Sequence, residues 1–159
     1  MPFSLLDIIS MAYKTRFLPT NTTKYIGDCN KIICRSLWER KFCKFLDENV
    51  NVIRWSFETL KIPYISPVDR QPHFYIPDFI VEKKNKKGEI ETLLVEIKPF
   101  KQTQKPKTGK RKSKKSMINE NITFEINKSK WEAAKEFCEK HSWKFVILTE
   151  KELFNASDK

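Results

Sequence analysis

The chain has 159 residues, enough for one domain with a sizeable core, and its 31 Lys and Arg against 20 Asp and Glu give a formal charge of +11. Twelve Phe, four Trp and a 40% hydrophobic share exclude wholesale disorder. No apolar run reaches the roughly 18 residues of a membrane span, and a balance this basic points to a polyanionic partner.

In chain order, Met1 to Ser10 lacks a leading cation and is cut by Asp7, so no secretion signal is expected, and Met11 reads as an alternative translation start. Lys14 to Cys34 is a polar, loop-like lead. Ser36-Leu37-Trp38-Glu39 has the form of a capping box, and Leu37, Phe42, Phe45 and Leu46 continue at helical spacing, which predicts a helix over 36–48. Cys29, Cys34, Cys43 and Cys138 contain no Cys-x-x-Cys and form no Cys/His cluster, so reduced thiols are expected rather than a zinc site, with Cys43 and Cys138 in helix cores.

Beyond Asn49, strands are predicted over 53–63, 74–81 and 93–98, the last two separated by the charged turn Lys83 to Glu89. Three strands in succession suggest an antiparallel meander. Phe74-Tyr75-Ile76 and Leu93-Leu94-Val95 are apolar on both pleat faces, which calls for cover on both sides of the sheet. A second helix is predicted from Asn127 or Ser129 to Lys140, with Trp131, Ala134, Phe137 and Cys138 as its stripe, followed by a buried strand at 145–148 and a turn at 151–154. Pro99 to Met117 has no apolar periodicity and is expected to be a long mobile loop. The expected fold class is therefore α/β, in the order α-β-β-β-α-β with a mixed sheet, as a single domain over 36–159 after a lead segment at 1–35.

Two strands carry charge where a buried strand should be apolar. Asp78 interrupts Tyr75 to Ile80, and Pro77 before it removes a ladder donor and favours a bend that re-aims the carboxylate. Glu96 and Lys98 are two apart and share a pleat face, while Val95 and Ile97 point to the other. Neighbouring antiparallel strands could bring Asp78, Glu96 and Lys98 together. Two carboxylates beside a lysine suit Mg²⁺, with Mn²⁺ as a substitute, and suit phosphodiester hydrolysis: the ion activates water and offsets phosphoryl charge, and the ammonium positions water or neutralises developing charge. An exposed ion pair between Glu96 and Lys98 is the bland alternative. Glu39 has a ready role as the third residue of the capping box, and His73 reads as a surface histidine.

The pattern Pro77-Asp78, then Glu96-Ile97-Lys98, resembles the PD-(D/E)xK nuclease signature, set in the element order of the restriction-endonuclease-like core. Arg35 to Phe42, Trp55 to Glu58, Ile62-Pro63-Tyr64, Tyr75-x-x-Asp78, Val95 to Pro99 and Asn127 to Ala134 together resemble the head-completion nucleases of T-even-like bacteriophages. The likeness covers about residues 11–150. It is similar, more distantly, to TnsA-type transposon end-cleaving endonucleases. These resemblances imply a metal-dependent DNA endonuclease of head completion, with Glu39, Asp78 and Glu96 as metal ligands and Glu39, Asp78, Glu96 and Lys98 as catalytic residues. They further imply double-stranded DNA as substrate, capsid, portal or other head-completion proteins as partners, no membrane, and a place in the host cytoplasm and the virion.

The charge is concentrated. Lys98 to Lys115 holds nine basic residues and no acidic one, which leaves 22 against 20 elsewhere. Lys101, Lys105, Lys107, Lys110, Arg111, Lys112, Lys114 and Lys115 have no interleaved aromatic residues for base stacking, so they are expected to attract phosphates with little sequence preference. A catalytically silent DNA-binding or head-tail interaction protein, a junction resolvase and a transposon end nuclease are the competing expectations.

Overall fold

The computed structural model describes residues 14–155; the proposed start at Met11 and the segment before it lie outside the described residues. A four-stranded mixed sheet forms the centre, built from β3 (Val52–Phe57), β6 (Phe79–Lys84), β7 (Ile90–Ile97) and β8 (Lys144–Leu148) in that spatial order. The first three pair antiparallel, and β8 joins β7 in parallel. Successive residues of β7 feed opposite faces. Val95 and Ile97 pack with Phe42, Cys43 and Leu46 of α1 (Leu37–Glu48), whereas Leu94 packs with Trp131, Ala134 and Cys138 of α3 (Lys114–His141). Cover on both sides of β7 is thus as its apolar run requires, and the α/β class with a mixed sheet holds.

Several elements differ from expectation. The lead is not a bare loop: Thr15–Arg16 (β1) pairs with Ile33–Cys34 (β2), two single helical turns lie between them, and Phe17, Ile32 and Cys34 enter the core. The buried Asp47 carboxylate ties this segment to α1 by accepting from the amides of Thr20 at 2.8 Å and Asn21 at 3.0 Å. Two of the expected strands are each split. Glu58, at φ 51°, ends β3, and Ile62–Ile65 (β4) then pairs with Pro72–Tyr75 (β5) in a separate hairpin. Pro77 supplies no N–H, and the central sheet resumes only at Phe79. The hairpin leaves Phe74 and Ile76 exposed, so the expected two-sided burial fails there.

The segment 99–117 has regular structure at both ends: a short helix, α2 (Phe100–Thr103), and the first turn of α3, which starts at Lys114 with Ser113 Oγ accepting from the Ser116 amide at 3.1 Å. None of residues 114–126 is buried: Ile118, Ile122 and Ile126 recur at helical spacing, but Ile118 and Ile122 are exposed rather than packed in the core. At about 1.5 Å per residue the helix is about 42 Å long, against about 26 Å for the strand it follows. Its N-terminal half therefore overhangs the C-terminal end of β7. The chain closes with α4 (Glu150–Asn155). All four cysteines are free, with Cys43 and Cys138 buried in helices, and among the described residues no helix is long and apolar enough to cross a membrane.

Candidate active site

The last ladder pair of β6 and β7 is Phe79 with Val95. Continuing that register by one sets Asp78 opposite Glu96 on the same pleat face, an arrangement of like charges that is unfavourable without compensation. Compensation is local. Asp78 Oδ2 accepts from the Ile97 amide at 2.7 Å. Glu96 is 5% exposed, and both its oxygens are engaged: Oε2 accepts from the Tyr75 hydroxyl at 2.5 Å, and Oε1 lies 3.2 Å from Lys98 Nζ. Burial first, and then the charge of Glu96, keeps the Tyr75 hydroxyl far above its ordinary pKa, so it remains a donor.

Asp78 is the group under most electrostatic load. Burial raises its pKa well above the ordinary carboxylate range, the Glu96 and Glu39 charges add to that, and the Ile97 amide and Lys98 only partly oppose it. The three residues predicted on the strands, Asp78, Glu96 and Lys98, are therefore brought together, and Glu39 lies close enough for its charge to act on Asp78.

Glu39 is drawn in two directions. Its amide donates to Ser36 Oγ at 3.1 Å, the first half of a capping box, while its Oε2 accepts from the amide of Arg35 at 2.7 Å, one residue earlier than the usual reciprocal bond. Burial first, and Glu58 in addition, raises the Glu39 pKa. The Arg35 guanidinium pairs with Glu58, whose own amide donates to the Asp78 carbonyl at 2.8 Å. The helix-capping role is thus occupied through one oxygen, and the other has no hydrogen-bond partner among the described residues.

The donor set fits a hard divalent cation. Among the described residues no three His, Cys, Asp or Glu side chains are gathered tightly enough to hold an ion unaided. Magnesium is usually held by one or two carboxylates together with water and substrate oxygens, and Asp78 Oδ1 has no partner among the described residues. Asp78 and Glu96 could contribute the carboxylates of such a site, and the Glu39 charge also acts on Asp78.

Of the eight basic residues expected to meet DNA, Lys101, Lys105, Lys107, Lys110, Arg111, Lys114 and Lys115 are exposed, the last two in the first turn of α3. Lys112 is half-buried and pairs with Glu120 at 2.7 Å, so its charge is largely spent within the protein. His73 is exposed and bonds Asp69 through Nε2 at 2.7 Å, as a surface histidine would. Sequence reasoning assigned no role to Tyr75, Glu58 or Lys130. Lys130 is recognisable only in hindsight: it sits beside Trp131 of the helical stripe, and Lys98 and Glu96 are the charges that act on it.

Residues 49–150 match the family described as TnsA-like endonuclease, N terminal. The chain is also 40% identical over 143 residues to the head completion nuclease of Enterobacteria phage T4, an alignment that spans 88% of this chain and 93% of that protein.

Proposed function

The chain belongs to the TnsA-like endonuclease family, and from that premise we propose that it is a divalent-metal-dependent DNA endonuclease of phage head completion that cuts with little sequence specificity. The observation that carries this reading is that Asp78, one residue before β6, bonds the Ile97 amide of β7 and feels the charge of Glu96, with Lys98 3.2 Å from Glu96.

A Mg²⁺ or Mn²⁺ ion held by Asp78 and Glu96, with Glu39 in support, would supply water activation and charge neutralisation at the phosphorus. Tyr75 fixes the Glu96 carboxylate by donating to Oε2. Glu96 in turn holds Lys98, whose ammonium orients the attacking water and meets the charge that builds on a non-bridging oxygen. Water adds to phosphorus, the bond to one deoxyribose oxygen breaks, and that oxygen takes up a proton. The products are a phosphate monoester and a free hydroxyl. The basic first turn of α3 and the basic segment before it hold the DNA backbone against this end of the sheet. In the infected cell the partners would be packaged or terminus-exposed DNA and the head proteins around it.

The test is nicking of supercoiled plasmid. Wild-type protein should nick with Mg²⁺ or Mn²⁺ and not in chelator, and Asp78→Ala and Lys98→Ala should be inactive with unchanged circular dichroism. Equal nicking by both variants would sink the reading and favour a silent DNA-binding role. A strong preference for four-way junctions would instead favour a resolvase.

A further inference from the structure

α3 carries two polar side chains that the nuclease signature does not account for: Lys130, which feels the charges of Lys98 and Glu96, and Asn127 one turn before it. Its buried residues are Asn127, Trp131, Ala134 and Cys138, spaced so that Asn127 lies in line with three core side chains. Asn127 is 8% exposed, its side-chain amide has no hydrogen-bond partner among the described residues, and its polar atoms reach the surface, so the amide is open to a ligand. The crossover from β7 to its parallel partner β8 runs α3 back along the sheet, so Asn127, N-terminal to the stripe, sits towards the end of β7 that carries Glu96 and Lys98.

Three residues on and on the same face, Lys130 is half-buried. Its ammonium lies 5.8 Å from the centre of the Tyr64 ring and 5.9 Å from that of Tyr75, the tyrosine that holds Glu96. These rings steady a cation without hydrogen-bonding it. No carboxylate among the described residues pairs with Lys130, whereas Lys98 is neutralised by Glu96. Burial first, and the like charge of Lys98 second, depresses the Lys130 pKa, and the charge of Glu96, which already pairs with Lys98, only partly opposes this. An anion beside the Lys130 ammonium would offset the repulsion from Lys98.

We propose that Lys130 and Asn127 form a phosphate-binding subsite of the active site, the ammonium and the side-chain amide both donating to one phosphodiester of the cleaved strand, beside the scissile one. The subsite rests on the endonuclease reading and makes Lys130 a substrate-positioning residue distinct from the exposed basic segment.

The experiment is the salt dependence of binding of a short DNA duplex to the full chain in chelator, followed by fluorescence anisotropy, with plasmid nicking measured in parallel. Lys130→Met should weaken binding about tenfold and lower the slope of log affinity against log salt by about 0.9, the signature of one lost phosphate contact. Lys130→Arg should restore both, and Lys130→Gln provides the same readout should the methionine variant fold poorly. Asn127→Ala should weaken binding with no change of slope, because a neutral donor releases no counterion. Wild-type affinity and slope in Lys130→Met and Lys130→Gln, with wild-type nicking intact, would overturn the subsite alone. Loss of slope in a protein that nicks under no condition would instead overturn the endonuclease reading and leave the anion subsite standing.

Discussion

Asp78 bears a carboxylate where burial, Glu96 and Glu39 all oppose its charge. A carboxyl with a raised folded-state pKa binds its proton more tightly in the folded than in the unfolded chain. Between the ordinary carboxylate range and that raised value, metal-free stability therefore falls as pH rises. Asp78→Asn removes this term. In chelator its melting temperature should exceed that of wild type at neutral pH and converge with it in acid, as calorimetry across pH would read; parallel curves would contradict the assignment. Tyr75 has the opposite relation to its neighbour, since its hydroxyl satisfies a buried carboxylate oxygen. Tyr75→Phe keeps the ring and orphans Glu96 Oε2, so denaturant unfolding should show a loss of about 1–3 kcal/mol.

At the scale of elements, the first helix was legible because Ser36 and Glu39 mark its start and an apolar stripe follows. The second was legible only in its buried half. Residues 114–126 start from the Ser113 cap, and although Ile118, Ile122 and Ile126 recur at helical spacing, none of them is buried in the core as Trp131 and Ala134 are. Trp131 closes the side of β7 that carries Leu94, and truncation to Ala should cost about 3–5 kcal/mol in the same unfolding assay. The strand positions of Asp78, Glu96 and Lys98 could be read from alternation along two short segments. The hairpin of β4 and β5 could not, because Glu58 and Pro77 break apolar runs that look continuous, and the break is a matter of backbone geometry. The same break hid Tyr75, which reaches Glu96 from a different sheet. Lys130 was hidden for another reason: its neighbours come from β4, β5 and β7, and no spacing along one helix encodes them.

For the molecule as a whole, a formal charge of +11 divides into a nearly neutral body and a basic segment that runs from Lys98 to the first turn of α3. That division puts carboxylates where an ion is needed and cations where a polyanion would approach, on the overhanging side of the sheet. Lys112 is discounted by its bond to Glu120. Replacing the exposed Lys110, Arg111, Lys114 and Lys115 with Gln should flatten the salt dependence of duplex binding by about 3–4 units of log–log slope if all four meet phosphates, with the melting temperature little changed. An unchanged slope would place the DNA elsewhere on the surface. Crystals soaked in Mn²⁺ test most directly whether Asp78 and Glu96 form a metal centre. Anomalous density should appear between Asp78 and Glu96, about 2.1 Å from an oxygen of each. Ordered Mn²⁺ bound elsewhere, with none at this pair, would contradict it.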